Sequence, residues 1–222
     1  MAQIVKIISI TKITHDVLEI IAEKPEGIQF RPGQAVDFAI NKNGWEQEWR
    51  SFTFTSLPSD NYIAFNIKTY PNHNGVTNQL LSLEAGDEIL IGDVYGDIEY
   101  KGEGVFIAGG AGITPFLAIL KDLKKQDSIG HNKLMFANKT KADIIQSEYL
   151  SKILGDGFIN ILSDETLDGY EHGYISAEMI KKYSDAHTQF YYLCGPPPMM
   201  NAVEQHLASL GISADHIIKE GF

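Results

Sequence analysis

Three short stretches of this sequence combine residue types that could do chemistry. Arg50-Ser51-Phe52-Thr53 sets a permanent cation, two hydroxyls and an aromatic ring side by side. Gly109-Gly110-Ala111-Gly112-Ile113-Thr114-Pro115 follows the apolar run Val105-Phe106-Ile107-Ala108. Glycines let the backbone turn tightly and let a ligand approach it. Thr114 suits a helix N-cap and Pro115 the first helical position, so this turn would offer free N–H groups to a phosphate. It departs from the usual G-x-G-x-x-G at Pro115, and no acidic residue follows at the spacing expected for gripping a ribose. Asn138-Lys139-Thr140-Lys141 ends the next strand instead; it could bond a ribose, attract a phosphate or form a solvated loop. The third stretch, Cys194-Gly195-Pro196-Pro197-Pro198-Met199-Met200, again leads from an apolar run into a helical one. Cys194 alone reads as a small buried hydrophobe. Its place at the end of a strand is where open α/β sheets bind ligands.

The elements that must hold these stretches divide into two sets. Residues 4–10, 16–22, 35–40, 50–55, 62–69 and 88–92 are short, rich in β-branched and aromatic residues, and separated by turn formers such as Pro32-Gly33, Asn43-Gly44 and Gly86-Asp87. Six such strands, with one helical piece near 77–83, predict an antiparallel Greek-key β-barrel. From Gly104 onward strands and helices alternate: strands at 105–108, 133–137, 158–162, 189–194 and 217–219, helices at 115–125, 147–154, 177–183 and 198–210. That alternation predicts a parallel five-stranded α/β nucleotide-binding domain. The expected division is residues 1–101 and 102–222, at the exposed link Lys101-Gly102-Glu103-Gly104.

Composition narrows the function classes. With 222 residues and 44% hydrophobic content the chain is long enough for two small cores. A net charge of −11 argues against nucleic acid or an anionic membrane as partner. The single cysteine rules out an internal disulfide framework and a cysteine-ligated iron–sulfur cluster. No set of metal ligands stands out. No apolar run reaches the roughly 18 residues of a membrane span, and residues 1–17 lack a signal pattern, so a cytoplasmic location is expected.

Taken in order, the motifs resemble the ferredoxin–NADP reductase superfamily, with the NADH–cytochrome b5 reductase and flavodoxin reductase types nearest. Phe30-Arg31-Pro32-Gly33-Gln34 resembles the family's entry into a barrel strand, and Arg50-Ser51-Phe52-Thr53 its Arg-x-Tyr-Ser/Thr flavin motif. Gly75-Val76-Thr77-Asn78 resembles its phosphate turn, and residues 109–115 and 194–200 its two nicotinamide-side motifs. Residues 136–145 resemble its adenosine-side segment. The resemblance implies that FAD, with FMN the second choice, is held by Arg50 at the phosphates, Phe52 against the ring and Thr53 at N5. Ser51, Ile67, Lys68, Tyr70, Gly75, Val76, Thr77, Asn78, Thr114 and the terminal Phe222 complete that set. NAD(P)H would lie on Gly110, Ala111, Gly112, Thr114, Asn138, Lys139, Cys194, Gly195, Pro196, Pro197 and Met199. Two positions differ from the family pattern: Phe52 stands for a tyrosine and Asn78 for a serine.

The implied reaction is hydride transfer from NADH or NADPH, with the lean toward NADH, to FAD. Thr53, Cys194 and Glu220 are its candidate catalytic residues, Glu220 as a proton donor. The chain carries no cluster of its own, so electrons would pass to a separate acceptor: a ferredoxin, flavodoxin, cytochrome, oxygenase component or small molecule. The alternatives are a non-catalytic flavoprotein subunit of a larger complex and a free-flavin reductase.

Overall fold

The computed structural model describes residues 2–220. Strands β1 (Gln3–Lys12), β2 (Val17–Glu23), β3 (Ala35–Ile40), β4 (Arg50–Thr53), β5 (Tyr62–Lys68) and β6 (Glu88–Tyr95) form one antiparallel sheet in the order β4-β3-β6-β1-β2-β5. Alternation drives this sheet's closure. Ile63, Phe65 and Ile67 of β5 point inward with Val36, Phe38 and Ile40 of β3 and Ile20 of β2, and all are buried. The edge strands meet just beyond β4, where the Thr55 amide donates to Ala64 O at 2.8 Å and Ala64 N to Ser56 Oγ at 3.0 Å. A short helix α1 (Val76–Gln79) caps this barrel, with the Val76 side chain sealed into its core.

The second sheet is parallel, with the order β10-β9-β8-β7-β11-β12. Its members are β7 (Gly104–Gly109), β8 (Lys133–Asn138), β9 (Phe158–Leu162), β10 (Glu171–His172), β11 (Phe190–Cys194) and β12 (Ile217–Lys219). Helices α2 (Thr114–Lys125) and α3 (Ser147–Leu154) cover one face, α4 (Ala177–Tyr183) and α5 (Pro197–Ser209) the other. Period-two alternation assigns the faces: Phe106 and Ala108 pack under α2, Val105 and Ile107 under α5. The sheet has six strands where five were expected. The extra one, β10, is a polar Glu-His pair that extends β9's edge, too short to show any hydrophobic period. Helix α2 also begins one residue early. Thr114 is its first residue, not its cap, and the Thr114 hydroxyl donates to Ala111 O at 3.0 Å.

From β7 the chain moves outward through β8 and β9, while β11 and β12 lie on the other side. This is the point of topological reversal where open α/β sheets bind ligands beyond the strand ends. The residues at the carboxyl ends of β7 and β11 are Gly109 and Cys194. The barrel packs against the same end. Lys121 of α2 donates to Thr55 O at 2.6 Å, Lys125 to Ser59 Oγ at 2.6 Å, and Arg31 pairs with Glu99 at 2.8 Å.

Candidate functional site between the two sheets

Two clefts open along the seam. The smaller, about 250 Å³, is lined by Ser51, Phe52 and Thr53 of β4, Asn66, Ile67 and Lys68 of β5, then Tyr70, Thr77, Ala111 and Thr114. The larger, about 480 Å³, runs across the ends of the parallel strands past Gly109, Gly110, Asn138, Lys139, Pro196 and Met199. Lys68 lines both, and adjacent residues Gly110 and Ala111 divide between them. A ligand spanning both clefts would therefore lie against β4 and β5 at one end and the parallel sheet at the other.

The structure sorts the residues singled out from the sequence by what their atoms can reach. Thr53 at the end of β4 and Thr114 at the start of α2 both line the small cleft. Phe52 lines it while meeting Phe38 edge-on, ring centres 5.2 Å apart. Ile67 and Val76 have their side chains in the barrel core, so only their backbone is available. Arg50 lies half-exposed beside the small cleft, paired with Glu48 at 3.2 Å and donating to Trp49 O. Gly75 is in open space before α1, and Asn78 is the third residue of that helix. Phe222 lies outside the described residues.

The glycines of the two turns have different tasks. A Cβ on Gly112 would lie 2.3 Å from Cys194 O, and one on Gly195 would lie 2.4 Å from the Met199 side chain. Those two glycines let the turns pack against each other. Gly110 has φ +53° and nothing within 4 Å of where a Cβ would sit, so its open side faces the cleft. Pro197 opens α5 one residue before the expected start, with Pro196 ahead of it in extended conformation.

Electrostatics separates the candidate catalytic groups. Burial, with the nearby Glu220 charge adding to it, pushes the Cys194 thiol up to about 12, so it is a neutral thiol rather than a nucleophile. Burial also raises the Glu220 carboxyl, reinforced by Asp97, although the Asp97 amide reaches Glu220 Oε1 at 3.4 Å. Asp16 loses hydration, yet its 2.8 Å pair with Lys68 outweighs that and holds it below the ordinary carboxylate range. Lys68 is thereby tied beside the junction of the two clefts.

Of the lining residues, Asn66, Asp164 and Tyr174 escaped the sequence reading, whereas Asn138 was among those expected. Asn66 is 5% exposed, and neither Oδ1 nor Nδ2 has a partner. Asn138, at 9%, has an unpartnered Nδ2 beside the large cleft. Asp164 closes that cleft; its amide donates to Lys139 O at 2.9 Å and its carboxylate accepts from Ser163 Oγ at 2.6 Å. Tyr174, 83% exposed, stands at the mouth. Only a neighbouring-strand register could have pointed to Asp164, because it lies beyond β9, one strand farther from the reversal than the expected acidic position. Elsewhere Glu103, His131 and His187 come together, but the two imidazoles stack 3.7 Å apart with planes 11° from parallel. Stacked rings cannot both aim an in-plane lone pair at one ion.

Orphaned amides on a cleft floor fit a polar, flat ligand, because a buried amide without a partner is costly. Comparison with known proteins identifies the ligands. Residues 2–90 match the FAD-binding domain family and residues 106–205 the oxidoreductase NAD-binding domain family. The NADH-cytochrome b5 reductase 1 of Aspergillus terreus is 32% identical over 81% of this chain and 67% of its own length. The chain belongs to the ferredoxin–NADP reductase superfamily. Within that superfamily, the reductase component of propane 2-monooxygenase from Rhodococcus jostii is 29% identical over 98% of this chain. This chain spans 62% of that relative's length. The ferredoxin NADP+ reductase from Neisseria gonorrhoeae, solved with FAD and NADP, superposes with a TM-score of 0.84 over 99% of this chain and 98% of its own, at 18% identity. The two matched domain families thus fall on the two sheets, residues 2–90 on the barrel and 106–205 on the parallel sheet. Among the described residues no helix is long and apolar enough to cross a membrane.

Proposed function

We propose that this chain is an NADH-dependent flavoprotein reductase that takes a hydride from NADH and delivers electrons singly to a separate acceptor. The observation that carries the reading is the pair of clefts meeting at Lys68, one beneath each family domain. Bound FAD would accept the hydride, two electrons and one proton, leaving NAD+, and release the electrons one at a time. Arg50 would neutralise the FAD phosphates, Phe52 would lie against the ring and the Thr53 hydroxyl would bond at N5. Gly75, Val76, Thr77 and Asn78 would hold the pyrophosphate. Ser51, Ile67, Lys68 and Tyr70 would line the flavin, with Thr114 facing it from α2. The NADH pyrophosphate would rest on Gly110 and Ala111, with Gly112 letting the Cys194 turn close over the nicotinamide. Cys194 would exclude water beside the reacting carbon, and Glu220 would supply a proton. The domain division at residues 101 and 102 belongs to the same reading.

Asp164 favours NADH. A carboxylate at a strand end bonds the ribose hydroxyls and repels a 2′-phosphate. The one lysine in that cleft besides Lys68 is Lys139, while Lys141 has its amide on Glu165 and its ammonium over Tyr170. With a one-electron dye as acceptor, kcat/KM is expected to be higher for NADH, and Asp164→Ser to narrow the ratio about tenfold. A clear preference for NADPH in the unaltered protein would overturn the assignment. The single thiol cannot carry a cysteine-ligated iron–sulfur cluster within these 222 residues, so the reading sends the electrons to an acceptor outside them, a protein or a small molecule. That free thiol also agrees with a reducing, cytoplasmic location.

A further inference from the structure

Asn66 projects from the face of β5 opposite Phe65 and Ile67, alongside Lys68, into the cleft walled by Thr53 and Thr114. It is 5% exposed, and both polar atoms of its carboxamide lack a protein partner. Buried amides are nearly always hydrogen-bonded, and an apolar residue of the same shape would fit here at less cost. The unpaired donor and the unpaired acceptor together match a ligand that offers an acceptor beside a donor. Thr53, Thr77 and Thr114 line the same cleft, but none of them satisfies the amide. The barrel core behind it is apolar.

On the reading of this cleft as a flavin site, one part of the ligand has that pattern. The pyrimidine edge of the isoalloxazine carries a carbonyl, then N3–H, then a second carbonyl. We infer that Asn66 reads this edge in a paired contact: Nδ2 donates to a ring carbonyl and Oδ1 accepts from N3–H. Asn66 is then a positioning residue. It fixes the ring's in-plane rotation so that N5 comes to Thr53, and it selects for a ring with an intact imide. An aspartate could accept from N3–H but would turn a charge toward the carbonyl, so the carboxamide is the required chemistry.

The test compares FAD with FAD methylated at N3, which lacks the donor, in the full chain and in Asn66→Leu. Each flavin is exchanged into the protein, and its dissociation constant is read from flavin fluorescence. The unaltered protein is expected to bind N3-methyl FAD about tenfold or more weakly than FAD. Asn66→Leu should weaken FAD by a similar factor and bind the two flavins alike. If Asn66→Leu still discriminates between them as strongly as the unaltered protein, the contact is refuted. If the unaltered protein binds neither flavin, the flavin reading of the cleft fails instead, so the two failures are distinct. Should Asn66→Leu fold poorly, Asn66→Asp serves: it should lose FAD affinity more as pH rises and the carboxylate ionises, and an affinity unchanged with pH would contradict the pairing.

Discussion

The chemistry of the small cleft rests on side chains whose tasks can be separated by substitution. Arg50 is held only by Glu48 and a backbone carbonyl beside it, so it is free to turn to a phosphate. Arg50→Ala should therefore lose FAD affinity about 10- to 100-fold while leaving the fold intact, measurable by equilibrium dialysis. Thr53→Ala should retain FAD but slow hydride transfer about 100-fold in stopped-flow absorbance, since in the proposed reading the hydroxyl would act at the atom where charge develops. The reverse pattern would exchange their roles. Cys194 gives a second prediction at this scale. With its thiol pushed up to about 12 by burial, it stays protonated at pH 8, where a free thiol with pKa near ~8.5 is partly ionised. Iodoacetamide should leave it unmodified on a timescale that alkylates glutathione. Cys194→Ser should show the same pH dependence of hydride transfer as the unaltered protein. Sequence carried the types at these positions, but not their reach. Asn66 sits on a strand whose pattern announces only burial and Asp164 in a loop beyond β9, and it takes the sheet to show that one faces a cleft and the other closes one.

At the scale of elements, the turns after β7 and β11 act as a matched pair. Gly112 lies so close to Cys194 O that any Cβ must push the turns apart. Gly112→Ala should cost about 1–3 kcal/mol in chemical denaturation and raise the KM for NADH. Gly110→Ala meets no atom; its cost is the left-handed backbone alone, about 1 kcal/mol. A smaller loss for Gly112→Ala than for Gly110→Ala would contradict this division. Most of the elements were legible because their hydrophobic periods are strong: β3, α3, β9, α4 and β12 fall where alternation and turn residues place them. The departures share a cause. The strand β10 is decided by its backbone ladder to β9 and the first turn of α2 by the Thr114 hydroxyl donating to Ala111 O, rather than by any hydrophobic period.

For the whole molecule, the proposed reading has electrons enter at the seam between the barrel and the parallel sheet, where the two clefts meet at Lys68. Lys121, bonded to Thr55 O, and Lys125, bonded to Ser59 Oγ, tie α2 of the parallel-sheet unit to the barrel, so hydride donor and acceptor would be held at a fixed distance. The central claim is that NADH bound on the parallel sheet delivers hydride to FAD bound on the barrel. The most direct measurement is anaerobic mixing of the FAD-loaded protein with one equivalent of NADH, following the visible flavin band. Rapid and complete bleaching by NADH is expected, with slower bleaching by NADPH and return of the band on adding a one-electron oxidant. A band unchanged by either nucleotide would contradict that claim.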